Sequence, residues 1–423
     1  MSIKNEIINY IKSGETDSKS LGLEIEHLVI NDKGLPIGFD EISGLIASVG
    51  ESMGARLIYT DGHVVGYFAE GYTITLEPSC QFEISIDPYE DLSKIERIYT
   101  EFRKLWDKVF ADAGYHMAEY ENLPLVENGT ITPDDIPLSP KKRYKYMNEH
   151  FESRGKYGKY MMRASASTQI SVDFSSEEDM VKKLRALTYL SPIIALLMES
   201  KADWDATLKE HPEKKHLLRI QEWEDLDSAR TGFIPGSGED GFGYGTAADV
   251  ILNTPLILLT DEGETLHVGD KSALDLINEG ALDFDGADKE RQTSLIEHII
   301  SMGFFHMRVK KYIEIRIADS VPIKRAVGYM ALIKGLFYSK DNLEKLNEDF
   351  KNLDETDACW AFAEAEKYGF AAKLYNDRKA CEWADYILNL AAQALDKDDK
   401  RRLDYVRDFW TDFEKNNRRR ETS

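Results

Sequence analysis

The chain has 423 residues, of which 42% are hydrophobic and 30% charged, so it can bury a sizeable core and is neither disordered nor collagen-like. Its 53 basic and 76 acidic residues give a formal net charge of −23, which disfavours nucleic acid and anionic membrane surfaces as partners. It has three cysteines, no apolar signal-peptide segment and no apolar run near the ~20 residues of a membrane span, which predicts a soluble cytoplasmic protein without a disulfide framework.

Strand and helix patterns follow one another from the N-terminus. Residues 22–31 are rich in Ile, Leu and Val and predict a strand. Residues 72–86 alternate apolar and polar side chains, which predicts a strand with one buried face, bent or interrupted at Pro78. A helix is predicted over 92–109, where apolar residues recur every three or four positions, and Gly114 is its expected stop.

Two further strands are predicted later in the chain. Residues 164–174 alternate again, and residues 312–318 place Glu314 and Arg316 on one face with isoleucines on the other. From Lys324 onward the pattern is nearly all helical. Because the strands alternate instead of running continuously apolar, we expect an antiparallel sheet with one face on the core, which is an α+β fold.

The chain shows no repeat of fixed period and no Pro-, Gly- or Ser-rich linker that would separate domains. We therefore expect a single catalytic domain over residues 1–423. It would consist of a sheet-containing core over about 1–322 and a helical C-terminal part over about 323–423.

Glutamates recur on the polar faces of the predicted strands, at Glu24, Glu26, Glu77, Glu83 and Glu314. Residues two apart on a strand share a face, so the first two point the same way, and the third and fourth do so if their strand is regular. Carboxylate oxygens are preferred ligands of Mg²⁺ and Mn²⁺, and five would suit two or three ions around a phosphate chain. The alternative is a solvent-facing sheet surface, which accounts for any single glutamate, although clustered acids without Lys are costly without a counter-ion. Both interpretations stay open on the residues alone.

A basic segment interrupts the acidic chain. Between residues 140 and 163, eight basic residues stand against two acidic ones. The segment is either an anion-binding wall for phosphates or a substrate carboxylate, or a solvated loop. Arg143 and Arg163 are the candidate ligands, because a guanidinium grips oxyanions in a planar fork.

Residues 232–245 contain six glycines, including a G-x-G-x-x-G match at 236–241. We find no clear strand before it and no helix after it, so we do not expect a dinucleotide site. A surface loop or a mobile loop near a site are the alternatives.

Several segments together resemble the glutamate–cysteine ligases of the plant-like and proteobacterial branch. They occur in the order of that family and span about residue 20 to residue 340. They are GLEIEH (22–27), TLEPSCQFEIS (75–85), PKKRYKYM (140–147), MMRASASTQISVDFSSEEDMVKKLR (161–185), WEDLDSARTG (223–232) and YIEIRIAD (312–319).

The resemblance implies a glutamine-synthetase-like fold, in which a curved antiparallel sheet forms a funnel and its carboxylates hold two or three Mg²⁺ ions, with Mn²⁺ as a substitute. It implies that ATP, as co-substrate, phosphorylates the γ-carboxylate of glutamate. The amino group of cysteine then attacks the acyl phosphate and gives γ-glutamylcysteine, the first step of glutathione biosynthesis. The implied partners are these small molecules, and the implied assembly is a monomer or a homodimer.

Roles follow from the resemblance position by position. The implied metal ligands are Glu24, Glu26, Glu77, Glu83 and Glu314, and the expected catalytic pair is Glu83 with Arg316, which would meet the γ-phosphate. Gln169 falls where related branches have a histidine ligand. The expected substrate- and ATP-binding residues are Arg143, Arg163, Gln169 and Arg230.

The chain also departs from the family pattern. Ser79-Cys80 replaces Gly-Gly, Ser171 replaces Asn, Leu226 replaces Thr within D-T-D, and Ser320-Val321 replaces Gly-Gly. We expect these positions to lie near the substrates, so the amine acceptor stays open between cysteine and another amine. A non-catalytic relative that binds nucleotide or metal is the third alternative.

Overall fold

The computed structural model describes residues 3–202 and 216–421, with side chains through residue 411. Its strands are β1 (Leu21–Asn31), β2 (Arg56–Thr60), β3 (His63–Ala69), β4 (Tyr72–Leu76), β5 (Phe82–Tyr89), β6 (Tyr115–Ala118), β7 (Ser167–Val172), β8 (Thr231–Gly232), β9 (Leu258–Asp261), β10 (Glu264–His267), β11 (Phe304–Phe305), β12 (Met307–Val309) and β13 (Ile313–Asp319).

The α-helices of the described ranges account for most of the remaining chain. They are α1 (Ile3–Lys12), α2 (Phe39–Ser52), α3 (Leu92–Asp112), α4 (Pro124–Glu127), α5 (Lys142–Glu152), α6 (Gly158–Ala164), α7 (Glu177–Leu197), α8 (Leu218–Glu224), α9 (Tyr244–Asn253), α10 (Ala273–Asn278), α11 (Lys289–Ser301), α12 (Ile323–Phe337), α13 (Lys340–Asp349), α14 (Glu355–Tyr368), α15 (Ala380–Ala394) and α16 (Lys397–Glu421). Among the described residues, no helix is both long enough and apolar enough to span a membrane.

One antiparallel sheet organises the molecule. Its strand order is β12-β13-β7-β1-β5-β4-β3-β2, and β6 pairs with the second half of β1. The apolar side chains of the central strands are fully or almost fully buried, as at Leu23, Ile25, Ile84, Ile170 and Ile315. The polar side chains of the same strands occupy the opposite face, so the predicted α+β class with an antiparallel sheet is confirmed.

Residues 72–86 form a hairpin instead of one regular strand. Pro78 has no N–H to continue a ladder, and the chain turns there: the Glu77 N–H donates to Gln81 O at 2.9 Å and the Cys80 N–H to Glu77 O at 3.1 Å. The condition for placing Glu77 and Glu83 on one face, a regular strand, is therefore not met. Cys80 is buried, as its apolar parity predicts, and takes a left-handed φ of 68°.

The predicted helices are confirmed. α3 begins at Asp91, whose side chain accepts from the Ser93 N–H, and the chain passes through Gly114 with φ 84° directly after it ends. The C-terminal part is helical, and α12 packs closely against α15 and α16. A Cβ added at Gly335 would lie 2.6 Å from the Ala391 carbonyl oxygen, so only glycine permits this approach of α12 to α15.

The hydrophobic core is continuous between the two predicted parts of the chain. Side chains of the sheet, of α3 and α7, and of the C-terminal helices belong to one buried cluster. The boundary near residue 322 remains a prediction.

The glycine-rich segment connects β8 to α9, so the expectation that it has neither a strand before it nor a helix after it is wrong. β8 is only two residues long and pairs with the equally short β11 outside the main sheet. A strand of two residues carries too little apolar periodicity to be detected in the sequence. The parallel pairing of β8 with β11 spans only two residues, far short of the buried parallel sheet on which a dinucleotide-binding turn is built.

Candidate active site

A cavity of about 450 Å³ opens on the polar face of the sheet. The neighbouring strands β13, β7, β1 and β5 supply polar side chains to its floor, and β12, α5, α8 and the connecting turns supply further charged groups. Of the residues predicted from the sequence, it is lined by Glu24, Glu26, Glu77, Glu83, Arg143, Gln169, Glu314 and Arg316.

Antiparallel pairing brings these side chains together. Glu26 on β1 lies directly opposite Glu83 on β5, and Glu24 lies opposite Gln169 on β7. Glu314 on β13 lies opposite Ser171 on β7, one strand further on. Residues that are far apart in the chain thus become cross-strand neighbours, which a single strand pattern does not reveal.

Four carboxylates form an anionic half of the cavity: Glu24, Glu26, Glu77 and Glu83. Burial raises the pKa of Glu24 and of Glu26 to about 7, with Glu314 and Glu77 respectively adding repulsion. Burial together with the other three carboxylates raises the pKa of Glu83 well above its ordinary value. Among the described Lys and Arg side chains, none forms an ion pair with these four carboxylates. Nearby cations such as Lys310 and Arg219 offset the raised pKa values of Glu24 and Glu26 only in part, so the cluster keeps an excess of negative charge that suits a bound cation.

Hydrogen bonds hold two of these carboxylates in place. Glu26 accepts from the Ser167 backbone N–H at 2.8 Å and from the Ser167 hydroxyl at 2.9 Å. Glu83 accepts from the Thr75 hydroxyl at 2.7 Å and from the Ser85 hydroxyl at 3.2 Å. Neutral donors orient the oxygens without cancelling their charge, which is the arrangement of a preformed cation site.

The other half of the cavity is cationic and is centred on Glu314. Its carboxylate pairs with Arg308 at 2.9 Å, Lys310 at 3.0 Å and Arg316 at 3.4 Å. Burial alone would raise the pKa of Glu314, but these three cations hold it well below its ordinary value. Burial lowers the pKa of the Arg308 guanidinium to about 10. Three positive charges around one carboxylate leave a net positive field, which attracts an anion.

An apolar wall completes the cavity. It consists of the Trp223 and Phe304 rings, whose centroids are 5.3 Å apart, and the side chains of Met147, Met161 and Met162. Rings and thioethers of this kind pack against flat or sulfur-bearing groups.

The basic segment reaches the cavity through the start of α5. Lys141 and Arg143 line it, and the half-buried Lys141 ammonium donates to Leu76 O at 2.6 Å. Burial lowers the pKa of Lys141. Tyr144 donates to a Glu77 carboxylate oxygen at 3.3 Å, so α5 supports the turn that carries Glu77.

The structure corrects the expected positions of Arg163 and Arg230, neither of which lines the cavity. Arg163 donates to Ile136 O at 2.7 Å and to the Asn148 side chain at 2.9 Å, and so joins the chain around residue 136 to α5. Arg230 is fully buried and pairs with Asp227 at 3.1 Å. Both guanidiniums make local structural contacts. The charge and the sequence positions of the two arginines do not reveal these contacts.

The sequence analysis missed several lining residues. Arg308 and Lys310 share a parity in the residues just before β13, and Arg308 lies opposite Glu314 in the β12–β13 hairpin. A hairpin prediction at that turn would have found them. Trp223 and Phe304 meet only in three dimensions, and no local signal marks them.

The positions that depart from the family pattern lie outside the cavity lining as far as the structure describes it. Ser79, Cys80, Ser171, Leu226 and the residues 320–321 are all absent from it. Several of them adjoin the lining, since Ser171 lies opposite Glu314 and the Ser320 hydroxyl donates to Glu26 O at 2.5 Å, so the expectation that they lie near the substrates remains a prediction.

The chain is similar to known proteins over most of its length. The family model for glutamate–cysteine ligase family 2 (GCS2) matches residues 20–415. The chain is 27% identical over 403 residues to a chloroplastic glutamate–cysteine ligase of Medicago truncatula, covering 93% of this chain and 76% of that protein. It is 24% identical over 415 residues to the chloroplastic glutamate–cysteine ligase B of Oryza sativa subsp. japonica, covering 96% of this chain and 80% of that protein.

A solved structure has a similar fold. It is a glutamate–cysteine ligase of Francisella tularensis in complex with AMP, with a TM-score of 0.58 at 13% identity. The alignment covers 94% of this chain and 83% of that chain. The fold class expected from the sequence resemblance is thereby confirmed.

Proposed function

Because this chain belongs to glutamate–cysteine ligase family 2 and is thus a ligase, we propose that it joins the γ-carboxylate of L-glutamate to the amino group of L-cysteine at the expense of ATP. The products are γ-glutamylcysteine, ADP and phosphate, and the reaction is the first step of glutathione biosynthesis. The observation that carries the proposal is one cavity in which four unpaired carboxylates face three clustered cations.

The anionic half fits a metal centre. Glu24, Glu26, Glu77 and Glu83 offer hard oxygen ligands that form no direct ion pair with a described Lys or Arg side chain, which suits two or three Mg²⁺ or Mn²⁺ ions. Glu314, at the centre of the cationic half, is close enough to Glu24 to repel it, and we propose it as the fifth ligand. Bound ions would neutralise the phosphate oxygens during transfer.

The cationic half fits the transferred phosphoryl group. A γ-carboxylate oxygen of glutamate attacks the γ-phosphorus, and the bond to ADP breaks. Arg316, with Arg308 and Lys310 beside it, stabilises the negative charge on the phosphoryl oxygens. The amino nitrogen of the acceptor then attacks the acyl carbon, and phosphate leaves. Such chemistry depends on positioned charge more than on a strong general base.

Cysteine is the proposed acceptor. The altered family positions lie outside the cavity lining, so they give no reason to replace it. The methionine and aromatic wall also suits a thiol-bearing group.

The test measures ADP release by the purified protein with ATP, Mg²⁺ and glutamate, alone and with a panel of amines including cysteine. Mass spectrometry identifies the product. We expect ADP release to require both glutamate and cysteine, with γ-glutamylcysteine as product. Stimulation by another amine but not by cysteine would assign a different γ-glutamyl ligase. Nucleotide binding without turnover under any amine would assign a non-catalytic relative.

A further inference from the structure

The strand β13 is bulged where it carries Arg316. Its register with β7 pairs Ile315 with Ile170 and then Ala318 with Thr168. Two residues of β13, 316 and 317, therefore stand opposite the single residue 169 of β7. A bulge of this kind re-aims a side chain, and it releases backbone groups from the regular ladder.

Arg219, on α8, donates to two backbone carbonyls of β13 at and beside the bulge. Its Nη2 donates to Arg316 O and to Ala318 O, both at 2.8 Å. Its Nε pairs with the Asp319 carboxylate at 3.2 Å. One planar guanidinium thus grips β13 from residue 316 to residue 319, and Arg219 is only 4% exposed.

The start of α8 is itself fixed to the same region. The Leu217 N–H donates to the Glu199 carboxylate at 2.6 Å, and the Ser200 N–H donates to the Asp319 carboxylate at 2.9 Å. The turn at 199–200 therefore holds both the base of α8 and the end of β13. These contacts fix the position of α8, and with it Arg219, relative to the bulge.

We propose that Arg219 is a positioning residue, which fixes the β13 bulge and thereby the place of the Arg316 guanidinium over the transferred phosphoryl group. The inference rests on the proposed function, because it assigns a role within that reaction. Arg219 also borders the cavity. The competing explanation is therefore direct contact with a substrate anion, and the experiment separates the two.

The expected effect is on turnover. A displacement of about 1 Å in a catalytic group can cost ~10²-fold in rate. Lysine at position 219 keeps the charge but cannot span two carbonyls and a carboxylate, so R219K should lower kcat by ~10²-fold with the KM values for glutamate and ATP little changed. Asp319 does not line the cavity, so D319N should lower kcat in the same direction by a smaller factor.

The experiment compares R219K and D319N with wild type and with R97K, a surface arginine on α3 whose side chain is 67% exposed. It measures kcat and KM for each substrate, and amide hydrogen exchange of residues 316–319 by mass spectrometry. We expect faster exchange at 316–319 in both variants and no change in R97K. The exchange measurement needs no turnover. It therefore tests whether Arg219 holds β13 in place even if the wild type makes no γ-glutamyl product.

Three results would overturn the inference. A raised KM with unchanged kcat in R219K, combined with wild-type behaviour of D319N, would assign Arg219 to direct substrate binding. Unchanged kcat and KM values in R219K would show that the position of Arg316 does not depend on the contacts of Arg219 with β13. Unchanged exchange at 316–319 would show that Arg219 does not hold it.

Discussion

The anionic half of the cavity should make the metal-free protein less stable as pH rises. Folding raises the pKa of Glu24 from its ordinary value of 4.5 to about 7, chiefly by burial. The folded state then binds this proton more tightly than the unfolded state does. The free energy of unfolding therefore falls as pH rises from 4.5 to about 7, by ~1.4 kcal/mol per pH unit. The total is about 3 kcal/mol for this one group.

The perturbation is Glu24→Gln, which keeps the size of the side chain and removes the titrating carboxyl. Urea unfolding in chelator at pH 5 and pH 8 measures the effect. Wild type should lose several kcal/mol between the two pH values, and the variant should lose about 2.5 kcal/mol less, because part of the Glu24 effect lies below pH 5. Adding Mg²⁺ at pH 8 should restore stability to wild type, by about 2.7 kcal/mol at a hundred times its Kd, and restore less to the variant.

Glu101→Gln is the matched control, because this glutamate on α3 is 75% exposed and lies outside the cavity. It should keep the pH dependence of wild type. The reasoning would be refuted if chelated wild type were equally stable at pH 5 and pH 8, or if Glu24→Gln kept the full loss.

Three other predictions concern packing and charge. Arg308→Met removes one of the three cations on buried Glu314, so it should destabilise the fold by about 3 kcal/mol in urea unfolding and raise the KM for ATP. Gly335→Ala should cost about 1–3 kcal/mol because its Cβ would meet backbone, whereas Gly245→Ala in α9 meets nothing and should be neutral or slightly stabilising. Burial lowers the pKa of His298 to about 4, so stability should fall as pH falls from 6.5 to 4, and His298→Gln should remove ~1.4 kcal/mol per pH unit of that loss.

Local periodicity predicted the elements that carry the site wherever a strand was long and regular. β1 was predicted from its Ile, Leu and Val content, and the spacing of two between Glu24 and Glu26 placed them on one face correctly. The interruption expected at Pro78 is a hairpin turn, so Glu77 and Glu83 do not share one regular strand, although both line the cavity. β12 has only three residues, too few for a periodic signal, so Arg308 was missed.

Charge composition was a weaker guide than periodicity. The basic segment contributes Lys141 and Arg143 to the cavity. Arg163 lies outside the cavity lining and donates a hydrogen bond to Ile136 O instead. Which way a basic side chain points depends on the packing of α5 and α6, and that packing depends on residues far along the chain. The apolar wall formed by Trp223 and Phe304 has the same non-local origin.

The two halves of the cavity lie on strands that differ in the number of neighbouring strands with which they pair. β1, with Glu24 and Glu26, is paired on both sides in the middle of the sheet, whereas β12, with Arg308, is the terminal strand of the described sheet and has three residues. Short terminal strands open at lower free energy than central ones. On gradual heating, the phosphate side should therefore loosen while the carboxylate side is still intact. Activity would then disappear at a temperature below that of global unfolding, with the capacity to bind divalent cations outlasting it.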